Sequence, residues 1–142
     1  MNITLSWQAL AVASAVFAAM TAILGKIGVA QIDSDLATFI RTVVILGMVA
    51  LIMSVRGEWQ KPVMANWAGW ACLIASGITT GLSWLCYFRA LQLGPVSMVA
   101  PIDKLSVALV MLIGWVALGE AITLQGLVGG ALIVTGTLVL LF

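Results

Sequence analysis

Gly94-Pro95-Val96-Ser97-Met98-Val99-Ala100-Pro101-Ile102-Asp103-Lys104-Leu105-Ser106 runs on, strongly apolar, to Leu118-Gly119-Glu120. A Gly-Pro corner here joins two apolar spans, and the second span carries another proline and an adjacent Asp-Lys pair. A charged side chain inside an apolar span costs roughly 2.5–3.5 kcal/mol on insertion scales. Asp103 and Lys104 therefore each need a partner or a task.

Composition sets the solvent. The chain is 63% hydrophobic and 8% charged, about a third of the ~25% charge of an ordinary soluble domain. That much apolar surface is incompatible with water and implies an all-α integral membrane protein. A net charge of +1 without a basic block excludes nucleic acid as a partner and gives no polybasic lipid-binding tail. Histidine is absent, and no nucleophile–base arrangement or metal-ligand spacing occurs, so no enzyme, metal site or cofactor is expected. Cys72 and Cys86 lie 14 residues apart in one span, about 21 Å along a helix and beyond the reach of a disulfide. They are expected to serve as packing residues.

Five transmembrane helices are expected, at about 5–30, 36–55, 67–93, 96–118 and 122–142, each near the ~20 residues that cross a hydrocarbon core. They form a single domain over 1–142. Met1-Asn2-Ile3-Thr4 puts no basic residue ahead of the first apolar run, so that run is expected to be a retained helix rather than a cleaved signal. Asp35 is the expected N-cap of the second span. Arg56-Gly57-Glu58-Trp59-Gln60-Lys61-Pro62 is the most polar stretch and reads as an aqueous loop, with Trp59, Trp67 and Trp70 as its interfacial belt. Gly77…Gly81 and Gly126…Gly129-Gly130 have the small-xxx-small spacing that lets helix backbones approach. Ordinary packing within the bundle is the expected use, and a sliding or dimer face the other.

Alternating the spans puts Lys26, Arg41, Arg89, Asp103 and Lys104 in one half of the membrane, with Asp33 and Asp35 just above them. Each lies on the order of 5–10 Å from a helix end at 1.5 Å per residue. Snorkelling accounts for such cations when nothing else does, but a short carboxylate such as Asp103 has little reach. Pro101 supplies no N–H to the Ser97 carbonyl and disfavours helix just before itself, a pattern that transporter helices use at binding sites and inert helices use as a kink. The expected break is therefore built from Gly94, Pro95, Ser97 and Pro101. Asp103 and Lys104, about 100° apart on a helix, are expected to face different neighbours, Asp103 meeting Arg89 or Arg41. Trp84 and Tyr87 have polar atoms suited to lining a cavity, whereas Phe88 reads as packing.

The run Trp84-Leu85-Cys86-Tyr87-Phe88-Arg89-Ala90-Leu91, followed by Gly94-Pro95-Val96-Ser97, Ala100 to Ser106 and Leu118-Gly119-Glu120, resembles the EamA-type domain of the drug/metabolite transporter superfamily. Gly126, Gly129 and Gly136 in the last span are also similar to that family. Full-length members have two inverted five-helix repeats, whereas this chain carries one copy of the pattern and so resembles the single-repeat five-helix bacterial and archaeal branch. The resemblance implies a multi-pass carrier of small organic solutes in the cell (plasma or inner) membrane, often an exporter, with amino acids among the substrates of the superfamily.

One repeat lacks half of an alternating-access carrier, whose site lies between repeats related by an axis in the membrane plane. An antiparallel homodimer in the lipid bilayer, or a paralogous five-helix partner, would supply the rest. The positive-inside count suits insertion both ways: Arg56 and Lys61 favour one orientation, and the span-end residues Lys26, Arg41, Arg89 and Lys104 the other. The candidate substrate- or ion-binding residues are thus Asp103, Lys104, Arg89, Arg41, Lys26, Trp84 and Tyr87. Asp103 could take up a proton, pair with substrate or belong to a structural ion-pair network. A multidrug-type exporter of lipophilic cations and an accessory structural subunit are the rival readings.

Overall fold

The computed structural model describes residues 6–59, 67–121 and 123–141. Leu5, Ile122 and Phe142 at the expected span ends, Met1 to Thr4, and Gln60, Lys61 and Pro62 of the polar loop lie outside the described residues. Among the described residues there are six helices and no strand: α1 Trp7–Gly28, α2 Ser34–Arg56, α3 Trp67–Leu93, α4 Val96–Asp103, α5 Leu105–Leu118 and α6 Leu124–Leu141. Five segments are long and apolar enough to cross a membrane, with α4 and α5 together making the fourth, Val96–Leu118. At most 11% of any span's apolar window is buried within the chain. Helices this apolar and this exposed are stable only with lipid or another protein around them.

Local chemistry fixes the helix ends. Asp33, not Asp35, caps α2: its Oδ1 accepts the Asp35 backbone N–H at 2.9 Å. Its carbonyl accepts the Ala37 N–H at 2.8 Å. Asp35 instead sits in the first turn, where its carboxylate faces the helix's positive end. At the other end Gly57 adopts φ 66°, a left-handed conformation open to glycine at little cost. Its N–H reaches Ser54 O at 3.3 Å while the Glu58 N–H reaches Met53 O at 3.0 Å, which closes α2 with a Schellman motif. Trp59 Nε1 donates to Ser54 Oγ at 2.9 Å, tying the start of the polar loop back to the helix.

The chain divides into two units, one comprising Leu24–Gln92 and the other Met1–Ile23 with Leu93–Phe142. In the second unit α4, α5 and α6 pack together through small residues. A Cβ on Gly130 would lie 3.0 Å from Met111 Sδ, and one on Gly126 would lie 3.3 Å from Met111 Cε. The i, i+4 glycine pair of α6 is therefore the slot that receives Met111 of α5. Gly77 and Gly81 of α3 have nothing within 4 Å of the same position, so identical spacing has no such use there. Cys72 and Cys86 are free and exposed on α3, so the packing expected of them is not burial within this chain.

The fourth span is interrupted, at a different residue from the expected one. Pro95 precedes the first turn of α4, and Ser97 and Pro101 both lie inside that helix. The interruption falls at Lys104, with ψ −8°. Proline tolerates helix on its C-terminal side, and its lost hydrogen bond is local. Past it the ladder tightens instead: Lys104 N–H bonds Pro101 O at 2.9 Å and Val107 N–H bonds Lys104 O at 3.0 Å, both three residues back.

Candidate functional site

Two constellations contain the candidate residues, one in each unit. The first surrounds the interruption of the fourth span. Lys104 Nζ lies 3.2 Å from Asp103 Oδ2. The two were expected on different faces of one continuous helix. They nonetheless form an ion pair as neighbours in sequence, with the side chains 54% and 38% exposed, Lys104 first, while Lys104 keeps right-handed helical φ and ψ. Ser106 Oγ donates to the Asp103 carbonyl at 2.7 Å. The Pro101 carbonyl, already accepting the Lys104 N–H, receives a second, longer bond from Thr137 Oγ1 at 3.3 Å. Thr137 is buried and so fastens α6 to the carbonyl at the break. It was not singled out from the sequence, because nothing in a lone threonine 36 residues away announces that partner.

The second constellation lies at the ends of α1 and α3 and in the second turn of α2. Gly25 lets α3 come close: a Cβ there would meet Phe88 Cζ at 3.3 Å and Leu91 Cδ1 at 3.6 Å. Phe88 and Leu91 are the buried apolar residues of α3. Lys26 Nζ donates to the Leu91 carbonyl, placing a cation on the negative end of the α3 dipole. Gln92 Nε2 donates to the Val29 carbonyl at 3.2 Å and the Ile32 carbonyl at 3.0 Å, satisfying backbone groups beyond α1. Arg89 Nη1 holds Gln92 Oε1 at 2.9 Å. Of the expected binding cations, Lys26 thus ties α1 to the end of α3 and Arg89 steadies Gln92 within α3, while Gln92, a neutral residue that no charge pattern flags, joins α3 to the segment after α1.

Arg41 differs. Its Cζ lies over the Trp84 ring at 4.3 Å from the centroid and over Phe88 at 5.1 Å. Tyr87 meets Phe88 edge-on, centroids 6.2 Å apart at 71°, and so steadies that ring. Each cation–π contact contributes about 0.5–2 kcal/mol, most where water is excluded. Two of them are comparable to the ~2.5–3.5 kcal/mol that a cation costs inside a span. The rings suffice to keep the guanidinium where it is, and Phe88 serves both packing and this seat. Within Leu24–Gln92, among the described residues, no carboxylate forms an ion pair with it.

An all-helical chain with five spans, a broken fourth helix and polar groups held inside its spans has the organisation of a membrane carrier. The model of the EamA-like transporter family matches residues 5–142, and the chain belongs to that family. It is 52% identical over 135 residues to a protein of Sinorhizobium sp described as an uncharacterized transporter in cobO 3'region, with 95% of this chain and 96% of the relative covered. No solved structure matches the chain. The protein is a multi-pass membrane transporter, and both family and relative point to transport rather than enzymatic catalysis.

Proposed function

We propose that the protein is a secondary transporter that exports small organic metabolites such as amino acids across the cell membrane. In this reading it works by alternating access as a dimer of five-helix repeats, either an antiparallel homodimer or a pair with a paralogous partner. The observation that carries the reading is the interruption of the fourth span at Lys104, where α4 ends, α5 begins and the Asp103–Lys104 pair sits beside the Pro101 carbonyl. Broken helices with ionisable groups at the break are how carriers expose polar groups to a solute within a bilayer. The exposed flank of the Asp103–Lys104 pair offers one charge of each sign, which suits a zwitterion. The cation-exporter alternative calls for a carboxylate free of competing cations, and Asp103 has Lys104 against it at 3.2 Å.

A thermal-stability screen of the purified protein against metabolites tests the reading, since a ligand that binds only the folded state stabilises it by mass action. Each stabilising compound is then followed in flux from proteoliposomes. Saturable flux of at least one of them is expected, and stabilisation without flux for all of them removes the carrier reading. Thiol labelling from the two membrane sides at positions 33 and 58, with Cys72 and Cys86 replaced, tests the antiparallel pair: each position labels from both sides if insertion is dual, and from one side only if it is not.

A further inference from the structure

We infer that Arg41, seated on Trp84 and Phe88, is the binding group for a singly charged oxyanion: the carboxylate of a small organic solute. The inference rests on the transporter reading for its setting and names the substrate chemistry for one part of the protein. Its first support is depth. Arg41 lies seven residues into α2 from Ser34, about 10 Å along the axis. Phe88 and Trp84 lie five and nine residues from the end of α3 at Leu93, about 7.5 and 13.5 Å along that helix. A snorkelling arginine would extend toward its own helix start. This one lies over rings that bracket the depth of its own Cα, so it is held within the span.

The second support is valence. Seating a guanidinium over aromatic rings uses its face and leaves its planar fork of N–H donors along the edge. The neighbouring cations are committed, Lys26 to the Leu91 carbonyl and Arg89 to Gln92. The nearby acids have other tasks as well: Asp33 caps α2, and Asp35 accepts from Ser34 Oγ at 3.3 Å. Among the described residues no carboxylate of the unit pairs with Arg41, and its fork is not committed to a side-chain amide as that of Arg89 is.

Charge balance then selects the ligand. One guanidinium neutralises one negative charge, and a second charge left inside the span would carry the full desolvation cost. A monoanion with two equivalent oxygens matches the fork bidentately. A carboxylate fits, as does the phosphodiester of a lipid headgroup, whereas a dianionic phosphate monoester does not.

The full chain in maltoside detergent, which carries no phosphate, is titrated with benzoate and with benzamide, its neutral near-isostere, at constant ionic strength, and thermal stability is read. Benzoate is expected to raise Tm with dose, and benzamide to leave it unchanged. Arg41→Gln is expected to abolish the benzoate shift. Arg41→Lys, which keeps the charge and loses the fork, is expected to weaken apparent affinity roughly tenfold, and it carries the test if Arg41→Gln does not fold. Arg56→Gln, the same charge change at the far end of α2, is expected to retain the full shift. Equal shifts with benzamide, or an undiminished benzoate response in both Arg41 variants, overturn the inference. Displacement of benzoate by short-chain phosphatidylglycerol at lower concentration than benzoate itself assigns the site to a headgroup and overturns the solute carboxylate. Benzoate binding with no carrier flux leaves the site and removes the transporter reading, and flux without benzoate binding does the reverse.

Discussion

The close approach of α1 and α3 at Gly25 positions the Arg41 seat and can be tested by adding one methyl group. Gly25→Ala gains helix propensity, about 0.5–1 kcal/mol. It also puts a Cβ 3.3 Å from Phe88 Cζ and 3.4 Å from Phe88 Cε1, against a ring that is 3% exposed and meets Tyr87 edge-on. Overpacking a filled site costs roughly 1–3 kcal/mol. The net change alone is ambiguous, because the two effects oppose each other. Gly77→Ala removes the ambiguity: it gains the same propensity, and its Cβ meets nothing within 4 Å. The difference between the two variants isolates the packing effect, and Gly25→Ala should be the less stable by about 1–3 kcal/mol. Unfolding of both in mixed micelles, by denaturant titration at fixed lipid, measures it. Equal stabilities within ~0.3 kcal/mol, the usual limit of additivity, would refute the claim that Gly25 is a contact point, and with it the rigidity assigned to Phe88 beneath Arg41.

Other outcomes follow from single contacts. Gly130→Val should destabilise by about 1–3 kcal/mol, since even a Cβ there stands 3.0 Å from Met111 Sδ, and Met111→Ala should relieve part of that loss in the double variant. Thr137→Val keeps the shape but deletes the bonds to Pro101 O and Ile133 O, and should cost about 1 kcal/mol in the same titration. Gln92→Leu removes both bonds to the Val29 and Ile32 carbonyls, and should cost about 1–3 kcal/mol and speed amide exchange at the end of α1. Asp103→Asn should change stability by less than ~1 kcal/mol, because its pair with Lys104 is substantially exposed. Its larger effect should fall on transport, where unaltered flux with unaltered proton dependence would remove Asp103 from coupling.

Spans and corners were legible in the sequence because composition and backbone stereochemistry act locally. Gly94-Pro95 breaks the chain between α3 and α4 as its residue types dictate, and α3 runs from Trp67 to Leu93 as the apolar run does. The break in the fourth span was legible in kind but not in place. Pro101 announces a missing hydrogen bond, yet the backbone absorbs it through three-residue bonds that end α4 at Asp103. The N-cap of α2 slipped for a similar reason, since Asp33 and Asp35 are chemically identical and only the path out of α1 chooses between them. The sorting of the cations was not legible. Lys26 and Arg89 look equivalent to Arg41 as charges in a span, but their partners are a backbone carbonyl and a glutamine amide, and no spacing rule brings either to a given charge. The Trp84 seat of Arg41 depends on the second turn of α2 reaching the rings of α3, which Trp84 and Tyr87 hinted at only as polar-tipped aromatics.

Counterflow in proteoliposomes tests the central claim most directly. Vesicles loaded with a high concentration of an unlabelled solute found in the stability screen are diluted into a trace of the same solute with a label. An alternating-access carrier returns through its membrane cycle with solute bound, so label should rise transiently above its equilibrium level and then decay, and protein-free vesicles should show no overshoot. Label that approaches equilibrium monotonically, at a rate independent of the internal load, would contradict alternating access.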